Sequence, residues 1–157
     1  MTIGQFYLTD AIKRDHRKLE NLYAQIIETK EPQEKTRIMN SFVGEVARHC
    51  AVEELIVHPA LRNFAAKGEQ LALEDREAHK KVKECLSTLY TTPIDDDGFT
   101  PCLENLSKFL RQHITDGERK YLAALESGLS EAQSEDLAKA FTQCKDYEVS
   151  KSATRTA

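Results

Sequence analysis

The segment RHCAVEELIVHPAL, residues 48–61, brings two histidines and two glutamates into a single predicted helix. Imidazole and carboxylate groups together form a ligand set that suits iron, manganese and zinc, so these residues suggest metal binding. At about 100° per residue, His49 and Glu53 fall on one face of the helix, and Glu54 falls on its flank. His58 follows His49 by nine residues and is predicted to project from the opposite side. Only His49 and Glu53 are therefore predicted to face a common site.

Each of the other predicted long helices also carries one histidine in line with its own apolar stripe. These histidines are His16, His79 and His113. A single buried histidine is most often a hydrogen-bonded packing residue, but four imidazoles in one core each need a partner in place of water. A metal ion supplies that partner, whereas the competing interpretation is a metal-free bundle with four buried histidines. The shared direction of the four side chains favours the metal site.

Two carboxylates share a helix face with one of these histidines at a spacing of four residues. They are Glu53 and Asp75. Glu118 follows His113 by five residues, which fits an ideal α-helix less well. Gly117 permits a local π-helical widening that would turn Glu118 inward. Spacing alone leaves open which carboxylates bridge two metals, because two more glutamates also lie four residues from a histidine: Glu20 and Glu45.

The elements that must position these residues are all predicted to be helices. Helical periodicity covers residues 9–29, 33–66 and 69–90, and a fourth segment begins at Thr100-Pro101. Pro59 is expected to kink the second segment or to open a turn in it. Long amphipathic segments with short connections predict an all-α, antiparallel up-down four-helix bundle over residues 1–128.

The remaining residues, 129–157, are predicted to add a short helix and a flexible tail. The helix would begin at Ser130, where Ser-x-x-Gln is typical of a capping box. The last dozen residues, which end in KSATRTA, are predicted to form the tail.

Composition limits the classes of protein that fit this sequence. Charged residues make up 31% of the chain and the net charge is −4, with no basic stripe of the kind that nucleic-acid binding requires. No apolar run approaches the ~20 residues of a membrane span, and the N-terminal segment MTIGQFYLTDAIKRD lacks the long apolar run of a signal peptide. Four cysteines without a Cys-x-x-Cys pair argue against a disulfide framework. A cytoplasmic protein without nucleic-acid or membrane partners is predicted, and its oligomeric state stays open.

The motifs together resemble the hemerythrin family, in particular the hemerythrin-like HHE cation-binding domains, over about residues 9–126. The family pattern is one histidine on the first helix, His-x-x-x-Glu on the second, His-x-x-x-His on the third and His-x-x-x-x-Asp/Glu on the fourth. The matching segments are Asp15-His16, His49-Cys-Ala-Val-Glu53, Asp75-Arg-Glu-Ala-His79 and His113-Ile-Thr-Asp-Gly-Glu118. The rival ferritin-like bundles need Glu-x-x-His, and no histidine of this chain has glutamate three residues before it.

The resemblance implies a non-haem di-iron centre with two iron ions joined by an oxo or hydroxo bridge. It implies that one iron binds His16 and His49 and that the other binds His79 and His113. Glu53 and Glu118 would bridge the two ions. The sequence leaves iron, manganese and zinc open as the metal.

One departure from the family pattern is Asp75, which stands where the third helix of the family has a histidine. Aspartate can ligate in place of imidazole or leave an open position filled by water. An anionic oxygen ligand stabilises the ferric state, which favours reaction with dioxygen or peroxide over plain oxygen carriage. The expected function is therefore to bind and react with dioxygen or peroxide, in an oxidase- or oxygenase-like or an oxygen-binding role, with or without a small organic substrate. The alternative is a non-catalytic iron or oxygen sensor or an iron-handling protein, and catalytic residues are not assigned.

Overall fold

The computed structural model describes the backbone of residues 4–155 and the side chains of residues 4–148. Helices join end to end into five continuous rods, and no strand occurs within these residues. The rods are α1 (Leu8–Glu28); α2 (Pro32–Val52) continued by a π-helix (Glu53–Val57) and α3 (His58–Phe64); α4 (Gly68–Tyr90); α5 (Phe99–Asp116) continued by a π-helix (Gly117–Tyr121) and α6 (Leu122–Gly128); and α7 (Glu131–Arg155). The predicted all-α bundle is confirmed.

Local sequence signals set several of the helix ends. Glu31 accepts hydrogen bonds from the Gln33 and Glu34 amides at 3.0 and 2.7 Å, with Pro32 in the first helical position. The predicted capping box at Ser130 is confirmed: the Ser130 amide donates to Gln133 Oε1, and the Gln133 amide donates to Ser130 Oγ. The fourth rod begins at Phe99, one residue before the predicted start.

The core contains two apolar clusters with a buried polar layer between them. On α1, Ile12 belongs to one cluster and Leu19 to the other, and His16 lies between them. On the second rod, His49 lies between Val46 and Val52 in the same way. The candidate ligands therefore occupy the middle of the bundle. None of the described helices combines the length and apolarity needed to cross a membrane.

The last rod, α7, is longer than the short helix predicted from the sequence. It is helical as far as Arg155, and the final two residues lie outside the described part of the chain. The flexibility predicted for the last dozen residues stays a prediction. The helix packs on α1, on α2 and on the π-helix that follows α2. Ala138 and Phe141 are buried in that contact, which supplies the apolar partner that the helix needs.

Two glycines permit a close approach between rods. A methyl group at Gly68 would overlap the carbonyl group of Leu61, and one at Gly128 would overlap the carbonyl group of Phe64. Both glycines lie where the backbone of one rod touches the end of the second rod, so these contacts fix how the rods meet.

Replacing Gly68 with alanine is expected to lower the free energy of unfolding by about 1–3 kcal/mol, the usual cost of overpacking. Gly4→Ala is the matched control, because nothing lies within 4 Å of a Cβ at that position. Urea denaturation of both variants measures the difference. Equal midpoints for the two variants would contradict the close approach at Gly68.

Candidate metal centre

Two π-helical turns shape the middle of the bundle. The His58 amide donates to the Glu53 carbonyl, and the Leu122 amide donates to the Gly117 carbonyl, which is the i to i−5 pattern of a π-helix. Each turn inserts one extra residue, so the residues after it are rotated by about 100° relative to an uninterrupted α-helix. The widening predicted at Gly117 is confirmed. The turn at Glu53 was not predicted.

The prediction that His58 points away from the bundle is wrong, because the side chain is only 2% exposed. Nine residues on an ideal α-helix separate two side chains by about 180°, but one inserted residue reduces the angle between His49 and His58 to about 80°. Pro59 does not break the rod. It lies in the first turn of α3, directly after the π-helix, where a missing amide hydrogen is tolerated.

Buried imidazole and carboxylate groups from four rods form two adjoining donor clusters. In each cluster the ligand atoms all lie within 4.8 Å of one another. Glu53 and His113 belong to both clusters. The first cluster is His16, His49, Glu53 and His113, and the second is Glu53, Asp75, His79 and His113. The structure thus brings together six of the seven site residues predicted from the sequence.

Glu53 lies at the centre of the two clusters and turns one oxygen towards each. Its Oε1 lies 3.1 Å from His49 Nε2 and 3.7 Å from His16 Nε2. Its Oε2 lies 2.9 Å from His79 Nε2 and 3.2 Å from His113 Nε2. These are the two histidine pairs that the resemblance assigns to separate metals, so the Glu53 carboxylate has the orientation that a bridge requires.

Asp75 lies in the second cluster and is surrounded by imidazole groups. Its Oδ1 lies 2.9 Å from His113 Nδ1, and its Oδ2 lies 3.3 Å from His79 Nε2 and 2.8 Å from His58 Nε2. Burial and Glu53 act to raise the pKa of Asp75, but His113 and His58 outweigh them and lower it. The carboxylate is therefore an anionic donor in the place where the family pattern has an imidazole.

Several buried polar atoms in these clusters lack a hydrogen bond. Both ring nitrogens of His16 are unpartnered, and Asp75 Oδ1 and His113 Nδ1 approach each other without hydrogen-bond alignment. Unpaired buried polar groups cost about 1–3 kcal/mol each, so a native site is expected to satisfy them. A metal ion bound to one nitrogen of His16 would satisfy part of this set, and imidazole with carboxylate is a donor set that fits such an ion.

The buried imidazole and carboxylate groups shift each other's pKa values. Burial acts to lower the pKa of His49, but Glu53 and Asp15 raise it to about 9. Burial acts in the same way on His113, and Glu53 and Asp75 raise its pKa to about 10. Burial acts to raise the pKa of Glu53, yet His49 and His113 hold it well below its usual range. A metal cation would therefore have to displace protons from these imidazoles in order to bind.

Asp15 holds His49 from outside the clusters. Its Oδ2 accepts from His49 Nδ1 at 2.7 Å, which directs the Nε2 atom towards Glu53. The same oxygen accepts from Lys145 Nζ at 3.1 Å, and Lys145 also lies 3.3 Å from Glu45. Asp15 precedes His16 in the sequence motif, but nothing in the sequence links either residue to Lys145, because that contact depends on how α7 packs.

A second carboxylate holds His79 in a similar way. Glu54 Oε1 accepts from His79 Nδ1 at 3.1 Å and from Lys83 Nζ at 2.7 Å, so Nε2 of His79 is directed towards Glu53. Glu54 was predicted to lie on the flank of its helix, and from there it contacts the candidate ligand His79. The two sides of the centre differ in exposure: the Lys145 side chain is 14% exposed and the Lys83 side chain is 48% exposed.

Glu118 lies outside both clusters. Its two oxygens accept from the Arg17 guanidinium at 2.5 and 2.6 Å, and its Oε2 is 3.9 Å from Nδ1 of His16. Glu118 and Glu53 therefore lie on opposite sides of the His16 ring, because Glu53 faces the other nitrogen, Nε2. The π-helix at Gly117 brings Glu118 towards the bundle, but a bridging role requires its carboxylate to leave Arg17. That role stays a prediction.

Replacing Asp15 with asparagine is expected to weaken metal binding at the His49 position by about 10–100-fold, the usual effect of losing such an outer partner. Glu54→Gln is the counterpart on the His79 side and should weaken the other position. Titration with manganese monitored by calorimetry measures each affinity. If both variants bind as tightly as the wild-type chain, the outer carboxylates have no role in holding the histidines.

Residues 7–125 match the family model described as the Hemerythrin HHE cation binding domain. The chain belongs to the hemerythrin family. An uncharacterized hemerythrin-like protein of Schizosaccharomyces pombe is 35% identical over 141 residues, which cover 89% of this chain and 70% of that protein.

Other proteins are similar to this hemerythrin-family chain at lower identity. A protein of Nostoc sp. named DNA nickase is 23% identical over 138 residues, which cover 88% of this chain but only 39% of that protein. The crystal structure of a hemerythrin HHE cation binding domain-containing protein from Mycobacterium kansasii superimposes with a TM-score of 0.81 at 22% identity. That match covers 92% of this chain and 89% of the other. At this identity the superposition shows a shared fold.

Proposed function

We propose that this hemerythrin-family chain is a non-haem di-iron protein that binds and reacts with dioxygen or peroxide. The observation that carries the proposal is the orientation of Glu53, whose two oxygens face different histidine pairs. His16 and His49 would hold one ion, His79 and His113 the other, and Asp75 would add an oxygen ligand to the second. Glu118 would act as a second bridge after leaving Arg17.

The number and type of donors support iron. Structural zinc sites take four ligands in a closed tetrahedron, whereas this layer offers four imidazoles and two carboxylates around a shared glutamate. Imidazole with carboxylate suits ions of higher coordination number that leave positions for small molecules, such as iron and manganese. Two ions on either side of Glu53 use the whole donor set.

Two bound ferrous ions would supply the electrons for reduction of dioxygen or peroxide. The residues of the chain would hold these ions and shield them from water. Glu53 and Asp75 place anionic oxygens beside the imidazoles, and Asp15 holds the proton on His49 Nδ1 so that Nε2 stays directed inwards. Phe42 and Ile114 are buried in the apolar cluster on one side of this layer and exclude water.

A groove of about 310 Å³ between α1 and α5 provides an approach for a small molecule. Leu19 and Ile114, which are buried, form part of its lining. Leu19 follows His16 by three residues and Ile114 follows His113 directly, so the apolar floor of the groove lies next to the first donor cluster. Glu20, Glu28 and Arg111 also line the groove, so its size and lining fit a small molecule that combines apolar and polar groups.

Metal analysis combined with optical spectroscopy tests the proposal directly. The protein is loaded with ferrous iron without oxygen, freed of excess metal, and analysed for iron per chain before and after exposure to dioxygen. Two irons per chain with the absorption of an oxo-bridged ferric pair after exposure are expected. One zinc per chain, or no bound metal, would overturn the di-iron proposal.

Asp75→His tests the assigned reactivity. The wild-type reduced protein is expected to oxidise rapidly and irreversibly in dioxygen, because the Asp75 carboxylate favours the ferric state. The histidine variant is expected to move towards a spectral change that reverses on evacuation. Stopped-flow absorbance measures the oxidation rates of the two proteins. Identical behaviour would show that Asp75 does not set the reactivity.

A contact of α7 favours a second candidate, a metal or oxygen sensor without turnover. Lys145 joins α7 to Asp15 and through it to His49, so metal loading would alter the hold of this helix on the bundle. Hydrogen exchange of α7 with and without metal, combined with a peroxide-consumption assay, separates the two candidates. A large change in protection without turnover would favour the sensor.

A further inference from the structure

His58 is the fifth histidine of the chain and lies in neither donor cluster. Its amide closes the π-helical turn on the Glu53 carbonyl, so the side chain follows Glu53 by one wide turn on the inner face of the rod. The family pattern assigns no ligand at this position. A buried imidazole in contact with the second cluster therefore needs an explanation of its own.

The contacts of His58 converge on the second cluster. Its Nε2 lies 2.8 Å from Asp75 Oδ2, and the same oxygen lies 3.3 Å from Nε2 of His79. The His58 ring stacks on the His79 ring with centroids 5.4 Å apart and an interplanar angle of 24°. One oxygen of Asp75 thus lies within 3.3 Å of two imidazole nitrogens, one from His58 and one from His79.

We propose that His58 is a direct ligand of the metal position formed by Glu53, Asp75, His79 and His113. The inference rests on the proposed metal centre and extends its ligand set. The third helix of the family pattern provides two imidazoles, and this chain has Asp75 in one of those places. His58 replaces the missing imidazole from the second rod, because the π-helix rotates it inwards.

For His58 to bind a metal, its Nε2 atom must change from a hydrogen-bond donor to a lone-pair donor. His58 Nε2 lies 2.8 Å from Asp75 Oδ2 and, in the tautomer that carries its proton there, donates a hydrogen bond to it. Metal binding would require the other tautomer, in which Nε2 has lost its proton and Nδ1 has gained one, so that the Nε2 lone pair would face the ion. Asp75 Oδ2 is then free to bind the same ion.

The competing role for His58 is to orient Asp75 without touching the metal. The two roles need different atoms, since orientation needs an N–H donor and ligation needs a nitrogen lone pair. Glutamine carries the donor but is a poor ligand, so His58→Gln preserves orientation and removes ligation. This substitution therefore separates the two roles.

The first experiment measures manganese content by mass spectrometry after loading and gel filtration. His58→Gln is expected to lose one of the two metal equivalents that the wild-type chain retains. Leu55→Ala is the matched control, because Leu55 lies in the same π-helix, is 57% exposed and should leave loading unchanged. Full loading of His58→Gln would overturn the inference.

The second experiment uses His58→Cys loaded with cobalt. A thiolate ligand at this position is expected to add a sulfur-to-cobalt charge-transfer band in the near ultraviolet that cobalt-loaded wild-type protein lacks. Circular dichroism checks that the variant is folded. A folded, cobalt-loaded variant without the new band would overturn ligation by residue 58, even if His58→Gln loses metal.

The two proposals fail in different ways. If the wild-type chain itself retains no metal, the proposed metal centre is wrong and His58 ligation falls with it. If the wild-type chain is fully loaded and the His58 variants match it in content and spectrum, the metal centre stands and only the role of His58 is wrong.

Discussion

Replacing Glu53 with glutamine is expected to abolish metal binding at both positions of the centre. Glu53 belongs to both donor clusters and is buried between four imidazoles, so no other residue in the described part of the chain substitutes for it. Loss of an outer partner already weakens metal binding by about 10–100-fold, so loss of the shared carboxylate is expected to weaken both positions by more than about 100-fold. Glutamine keeps the shape of the side chain, so the effect reports the lost charge.

Metal content after loading measures this effect, and Glu77→Gln is the matched control. Glu77 lies on α4, exposed and outside both clusters, so this control removes the same charge from the surface. Retention of both metal equivalents by Glu53→Gln would show that this carboxylate does not bridge. Retention of one equivalent would show that it serves a single position.

Removing the metal is expected to lower the melting temperature of the wild-type protein by about 5–10 °C. A ligand at 100 times its dissociation constant stabilises the native state by about 2.7 kcal/mol, and 1 kcal/mol corresponds to about 2–4 °C for a chain of this size. The physical source is the buried polar layer, in which both ring nitrogens of His16 lack a hydrogen-bond partner without metal. A metal ion would satisfy the His16 nitrogen that faces Glu53, and only in the folded state.

Calorimetry of the loaded protein before and after treatment with a chelator measures the shift. Glu53→Gln treated in the same way is the control, since a protein that binds no metal should melt at one temperature with and without chelator. An equal shift in both proteins would assign the effect to the chelator. No shift in either protein would indicate that metal binding and folding are independent.

The helices and the inward direction of four histidines were predictable from the sequence because they depend on local periodicity. His16, His49, His79 and His113 each continue an apolar stripe at helical spacing, and all four are buried. The position of His58 was not predictable in this way. A single inserted residue rotates every later side chain by about 100°, and the residues of the π-helix do not differ visibly from α-helical sequence.

Long-range contacts were the other part that the sequence did not provide. The pairing of Asp15 with His49 joins two rods, and the approach of Lys145 depends on a helix that packs only after the bundle exists. Glu118 shows the same limit. Its position in the motif could be predicted from the sequence, but its pairing with Arg17 on another rod could not.

The packing of α7 affects where this domain can be truncated. The family match ends at residue 125, and the apparent boundary after Gly128 would retain all seven ligands predicted from the sequence and His58. Such a fragment would lack Lys145, leave Asp15 and Glu45 without that shared cation, and uncover the apolar surface that Phe141 covers. We therefore expect the smallest autonomous unit of this protein to extend at least one helix beyond the boundary that its family motif marks.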